Sequence, residues 1–195
     1  MVTSIREVLE KCDIRDGMTL SFHHHFRNGD RVLNRVVEAI AKKGIRDITL
    51  SPSSLSTVND AIIPFIEQGV ITAIETSGAR GKLGRFLTDG HLKKPVLIRS
   101  HGGRARAIES GDIHIDVAFL GAPACDRSGN INGVQGKSAC GSLGYAMQDA
   151  AYADQVVAIT DNLVDHPLFP ISIPQTQVDY IVEVDSIGDA AGIAS

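Results

Sequence analysis

The chain has 195 residues, 43% of them hydrophobic and 22% charged, with 19 Gly and 7 Pro. That length suits one globular domain able to bury a real core. Nineteen basic residues against 23 acidic ones leave a net charge of -4 without any long basic run, which argues against a general nucleic-acid binder. The longest apolar stretches, 117–120 and 156–159, are too short to span a bilayer. The opening MVTSIREVLEKCDIRDG is too charged and polar for a secretory signal. Cys12, Cys125 and Cys140 are odd in number and lack C-x-x-C spacing. Neither a disulfide framework nor a structural zinc site is therefore expected, and a cytoplasmic location is.

In chain order, 18–22 (MTLSF) reads as a strand, followed by a polar loop and a helix through RVLNRVVEAIAKKG. There Val32, Leu33, Val36, Val37 and Ile40 fall at helical spacing, and Gly44 supplies the stop. A strand follows at 47–50, then a helix capped near Ser56 and Thr57 that Pro64 must bend or shorten. Further strands are expected at 70–76, 95–100, 117–123, 155–161 and 180–185, with helical stretches between them, notably 141–153. Apolar strands separated by helices imply an α/β domain: an open, mostly parallel sheet with helices on both faces. No internal repeat or linker divides it. The chain stops abruptly at Ala194-Ser195 just past a strand, with no obvious terminal helix, as a piece of a longer protein would.

In such sheets ligands bind beyond the carboxyl ends of the strands, so the loops there should carry the chemistry. SFHHHFRNGD joins a strand to a helix, where free amides and the helix dipole favour an anion. His23, His24, His25 and Arg27 add donors suited to a carboxylate or phosphate, and Gly29 permits a tight turn or close ligand approach. Two other readings compete. The histidines could fill the strand end and hydrogen-bond locally, or hold a metal, although no carboxylate stands at ligand spacing. His101-Gly102-Gly103-Arg104 repeats the strand-to-helix arrangement. Asp126-x-x-Gly129-Asn130 reads as a loop with a tight turn. The run 136–142 is no phosphate loop, because Ile131 stands where the first glycine of that motif belongs. Cys140 precedes a helix, where a thiol pKa can fall, but a small buried thiol is the simpler reading. No G-x-S-x-G elbow is present.

SFHHHFRNGD, RSHGGRARAIESGDIHIDVAFLGAP, DRSGNINGV, GKSACGSLGYAMQDA, VVAITDNLV and QTQVDYIVEVDSIGDAAGI together resemble the alpha subunit of citrate lyase, across essentially all of 1–195. More distantly the pattern resembles the CoA-transferase superfamily, whose usually glycine-rich first loop is here His-His-His-Phe-Arg. The resemblance implies that 1–195 is a single CoA-transferase-like α/β domain, the N-terminal half of a longer two-domain chain. It implies exchange of acetyl for citrate on a CoA-like thioester, giving citryl carrier and acetate. The CoA-like prosthetic group would be carried by an acyl-carrier gamma subunit, with acetyl-CoA as a surrogate and no permanently bound cofactor or metal. A beta subunit that cleaves the citryl group, and a homo-oligomer, are the other partners implied. Residues expected at the substrate are His23, His24, His25, Phe26, Arg27, Gly29, His101, Gly102, Gly103, Arg104 and Asn130. The catalytic carboxylate is expected outside 1–195. A citramalate-specific transferase, a sugar-phosphate isomerase and a non-catalytic assembly domain are the alternatives; the His-rich loop argues against the isomerase.

Overall fold

The computed structural model describes residues 4–193; the chain end at Ala194-Ser195 and the first three residues lie outside the described residues. The elements run α1 (Ile5–Lys11), β1 (Thr19–Phe22), α2 (Val32–Lys42), β2 (Ile48–Pro52), α3 (Ile63–Glu67), β3 (Ile71–Thr76), α4 (Gly81–Thr88), β4 (Leu97–Ile98) and α5 (His101–Glu109). They continue with β5 (Val117–Ala122), β6 (Ala124–Asp126), β7 (Ile131–Asn132), α6 (Ala146–Tyr152), β8 (Gln155–Thr160), β9 (Leu163–Val164), β10 (Tyr180–Glu183) and α7 (Ala190–Ile193). Seven strands form one parallel sheet in the order β10-β8-β5-β1-β2-β3-β4. The expected α/β architecture is what the chain adopts.

Strand alternation splits the core into two layers. Leu20 and Phe22 of β1 pack with Val36, Val37 and Ile40 of α2 and with Leu83 of α4. On the opposite face Ala118 and Leu120 of β5 pack with Ala107 and Ile108 of α5 and Ala146 and Ala150 of α6. Helices thus cover both faces, as nearly all-apolar parallel strands require. Ser21 of β1 and Ser51 of β2 are fully buried polar groups. Ser21 points away from its neighbours Leu20 and Phe22, and its hydroxyl is bonded within the layer of α5 and α6.

Four details differ from expectation. Pro64 sits in the first turn of α3, and the residues before it, Thr57–Ile62, form a 3-10 segment instead of α-helix; proline lacks the N–H an interior turn needs. The helix expected from 141 begins only at Ala146, because Gly141 and Gly144 take φ of 86° and 56°, left-handed values that break a right-handed helix. The C-terminal segment is helical after all, in the short turn α7. A second sheet, β7-β6-β9, uses strands of two or three residues that carry no readable periodicity. Among the described residues no helix is long and apolar enough to cross a membrane.

The sheet order reverses at β1: β2, β3 and β4 follow on one side, β5, β8 and β10 on the other. This is where open parallel sheets leave a crevice. Its inner wall is set by a close approach, since a Cβ on Gly121 would overlap the ring of buried Phe26. Gly121→Ala is expected to destabilise the fold by about 1–3 kcal/mol through overpacking. Gly102→Ala, whose Cβ would meet nothing within 4 Å on helix α5, should be neutral or stabilise by up to about 1 kcal/mol. Thermal melts of the two variants check the contrast.

Candidate functional site

Beyond the carboxyl ends of β1, β2 and β4 lie two adjoining cavities. The first, about 290 Å³, is lined by His23, His24, His25, Arg27, Ser53 and His101 on one side and by Cys140 and 142–146 on the other. The second, about 330 Å³, shares His24, Arg27 and His101 and adds Asn28, Ser54, Ser56 and Arg80. Neither lining contains a carboxylate.

The His loop turns sharply. Arg27 N donates to His24 O at 2.8 Å and Gly29 N to Phe26 O at 2.8 Å, while Arg27 takes φ 49°. A positive φ at a non-glycine residue is uncommon and stores strain. His25 donates from Nε2 to Gly121 O at 3.0 Å, since a carbonyl can only accept. Its ring stacks parallel to that of His23, with centroids 5.5 Å apart. His24 meets Ser53 Oγ with both its backbone N, at 3.0 Å, and Nδ1, at 2.7 Å. His101 packs edge-on to His24 at 5.1 Å and lies 5.4 Å from Tyr145, so an aromatic arc spans the mouth.

Burial governs the protonation of this triplet. It pulls His25 down to about 3, with the nearby His23 adding to it and the Gly121 bond opposing it. Burial, then the Arg104 charge, holds His23 well below the ordinary imidazole value, and burial, His101 and Arg80 lower His24. The loop is therefore less cationic than its sequence suggests: the fixed charge comes from Arg27 and Arg80, and the imidazoles supply neutral donors and lone pairs. Burial pushes the Cys140 thiol up to about 11, so the lowered pKa that its place ahead of a helix could give does not arise.

Beneath the cavity lies a buried ion pair. Arg104 Nη1 donates to Asp149 Oδ1 at 2.9 Å and Nη2 to Asp149 Oδ2 at 3.0 Å. Arg104 is 2% exposed and Asp149 0%. Ser21 Oγ donates to the same carboxylate, Arg104 Nη2 reaches Ser21 Oγ at 3.1 Å, and His23 Nδ1 lies 3.5 Å from Asp149 Oδ2.

Of the residues expected at the substrate, His23, His24, His25, Arg27 and His101 line the cavities. The others have different work. Arg104 is committed to Asp149, and Phe26 is buried against Gly121. Gly29 is buried where a Cβ would collide with Asp189 O and Ile193, so its close approach is to the chain itself. Ser100 Oγ accepts from the amide of Gly103, capping α5, and Gly102 lies exposed outside both linings. Asn130 donates to Asp126 Oδ2 at 2.8 Å and accepts from Gln175 N at 2.9 Å. Ser53, Arg80, Ser142 and Tyr145 join the linings without any sequence motif to mark them.

The loop between β6 and β7 is held by Asp126. Its carboxylate accepts from the amides of Ser128, Gly129, Asn130 and Leu168 at 2.9–3.0 Å. His114, Asp116 and Asp154 bring one ligand atom each within 4.8 Å of one another. They are at the amino ends of β5 and β8, away from the cleft.

The fold is one shared with CoA-transferase structures. An acyl-CoA transferase of Escherichia coli O157:H7, solved as a thioester complex with CoA, superposes with TM-score 0.71 at 15% identity over 93% of this chain and 46% of its own. The family model for "Citrate lyase, alpha subunit" matches residues 1–195, and the chain belongs to that family. It is 50% identical over its whole length to the citrate lyase alpha chain of Escherichia coli (strain K12), of which it spans 38%. A protein described as the alpha subunit of citrate lyase from Streptococcus mutans, solved in complex with citrate, superposes with TM-score 0.97 at 60% identity over all of this chain and 38% of that one.

Arg104→Ala leaves a buried carboxylate unpaired and should cost about 3–5 kcal/mol in urea unfolding. The double variant Arg104→Met/Asp149→Leu should cost less than either single change, since no charge is then stranded. A second expectation concerns acid. Burial raises the pKa of Asp126, but hydrogen bonds from Asn130 and neighbouring amides outweigh it and bring it down to about 2. A depressed acid stabilises the fold fully above its unfolded value of roughly 3.9 and loses that contribution as pH falls through the folded value. Melts between pH 5 and pH 2 (about these limits) should therefore show Asp126→Asn removing part of the acid dependence.

Proposed function

We propose that this chain carries the citrate-binding face of a citrate:acetyl-carrier transferase, the exchange of acetyl for citrate on a CoA-like thioester. The observation that supports it is the paired cavity at the β1 reversal, whose lining holds Arg27 and Arg80 and no carboxylate. Citrate carries three carboxylates. Guanidiniums can take a carboxylate bidentately. Arg27, whose Nη1 also donates to Ile193 O at 3.5 Å, and Arg80 supply two at the cleft, and the imidazole of His24, held neutral by burial and basic neighbours, adds a donor. The related Streptococcus mutans protein, 60% identical, is a citrate complex, which favours citrate over a phosphate ligand.

Acyl exchange passes through tetrahedral centres with negative oxygens, which preorganised N–H groups stabilise. The first turn of α5, entered at the lining residue His101, is where such groups would be offered at the cleft. Cys140 is a protonated thiol at neutral pH and is no nucleophile here. The catalytic carboxylate is assigned to residues beyond 195, in a longer two-domain chain of which this is the N-terminal part. The thioester would arrive as the prosthetic group of an acyl-carrier gamma subunit in the cytoplasm. A beta subunit would then cleave the citryl carrier, with the alpha chain itself in a homo-oligomer.

The test uses the full-length subunit. Arg27→Ala should raise the citrate Kd about tenfold or more, the loss of a charge-assisted bond worth roughly 1.5–3 kcal/mol. Kinetics with acetyl thioester should change far less. Equal losses for both substrates together with a lowered Tm would make the loop a structural element only.

A further inference from the structure

We propose that Ser53 is a positioning residue that fixes His24 as the neutral tautomer protonated on Nε2, and that this N–H donates to a carboxylate oxygen of the bound ligand. The inference rests on the citrate-site reading above and assigns one contact within it.

The hydrogen bonds leave Ser53 little choice. The backbone N–H of His24 can only donate, so Ser53 Oγ accepts from it at 3.0 Å. The hydroxyl proton then needs an acceptor, and His24 Nδ1 stands 2.7 Å away. Ser53 is 2% exposed, so water does not compete for that proton. A ring nitrogen that accepts must keep its lone pair, which places the imidazole proton on Nε2. His24 lines both cavities, and among the described residues no protein group accepts from its Nε2. The edge-on ring of His101 at 5.1 Å holds the imidazole plane.

The groups facing His24 act in the same sense. His101 on α5, Arg80 ahead of α4, Arg104 on α5 and Arg27 on its own loop are all basic, and together with burial they oppose a second proton on the ring. His24 is thereby a donor whose strength does not follow pH through the neutral range. It is also no base at Nε2, where the proton already sits.

Citrate calorimetry on the full-length subunit tests this with six variants, each first checked by its melting curve. Ser53→Ala should weaken citrate about fivefold to tenfold, as expected for one mispositioned hydrogen bond to a charged group. The double variant Ser53→Ala/His24→Ala should be no weaker than His24→Ala. Ser53→Thr, which keeps the hydroxyl, should stay within about twofold of the parent. His24→Gln keeps a neutral N–H near the Nε2 position without needing Ser53, and should retain affinity within about threefold. The deficit of Ser53→Ala should shrink as pH falls, because the released imidazole can take a second proton and donate from Nε2 in any tautomer. Multiplying losses in the double variant, a pH-independent deficit, or His24→Gln as weak as His24→Ala would each overturn the inference. A loss in His24→Ala with none in Ser53→Ala overturns it while leaving the citrate site intact. Unchanged affinity in both His24→Ala and Arg27→Ala overturns the citrate site and the inference with it.

Discussion

The two-pronged contact between Arg104 and Asp149 is the constraint around which the cleft is assembled. His101 and Arg104 are three residues apart on α5, and Tyr145 and Asp149 are four apart at the start of α6, so each pair shares one helix face. The first member of each pair stands at the cavity, and the second lies one turn deeper in the ion pair. Through Ser21 and the carbonyl of Ser51 the pair also grips β1 and β2, the strands that launch the His loop and Ser53. A buried ion pair is a poor source of net stability, because desolvating both charges offsets their attraction. Its value here lies in geometry: two helices and two strands are held to one register beneath the cleft.

That arrangement also decides the electrostatics above it. A guanidinium buried beside His23 discourages protonation of the imidazole, and packing does the same to His25. Arg27 and Arg80 bring guanidiniums to the mouth. A ligand with several carboxylates thus meets fixed cations at the rim and uncharged polar groups further in. Desolvating an anion against neutral donors is costly unless the donors are already oriented; the Gly121 carbonyl and the Ser53 hydroxyl hold two of the three imidazoles in orientation.

Much of this was legible in the residues. The inner strands of the main sheet are buried on both faces and announce themselves as apolar runs, while edge strand β4 is exposed at Leu97 and Ile98. The 3.6-residue spacing of Val32, Leu33, Val36, Val37 and Ile40 marks α2. The His loop and His101 were legible as residues of the crevice, which they line, because strand-to-helix junctions in such sheets open there. Arg104 misleads for a physical reason. One helical turn separates a rim residue from a buried one, and sequence does not reveal that Asp149, 45 positions away, will meet it. Asn130 and Gly29 mislead likewise, since loop-forming residues serve the chain's own turns as readily as a ligand. Ser53, Ser142 and Tyr145 carry no motif, and only the reversal of strand order brings them to the His loop.

Arg27 combines two demands that pull apart. It supplies fixed charge to both cavities, yet its backbone occupies the left-handed region, where a side chain is unfavourable and glycine would be at ease. A chain shaped for stability alone would place glycine at this corner. Retaining arginine there means that the turn is held by its surroundings: the amide bonds to His24 and Phe26, and the packing of Gly29 on Ile193 at the far end of the described chain. The corner is therefore a junction where the C-terminal helical turn can transmit mechanical displacement to a charged group. A shift of Ile193, itself a core residue, would reach Arg27 both through Gly29 and directly, since Arg27 Nη1 donates to Ile193 O at 3.5 Å.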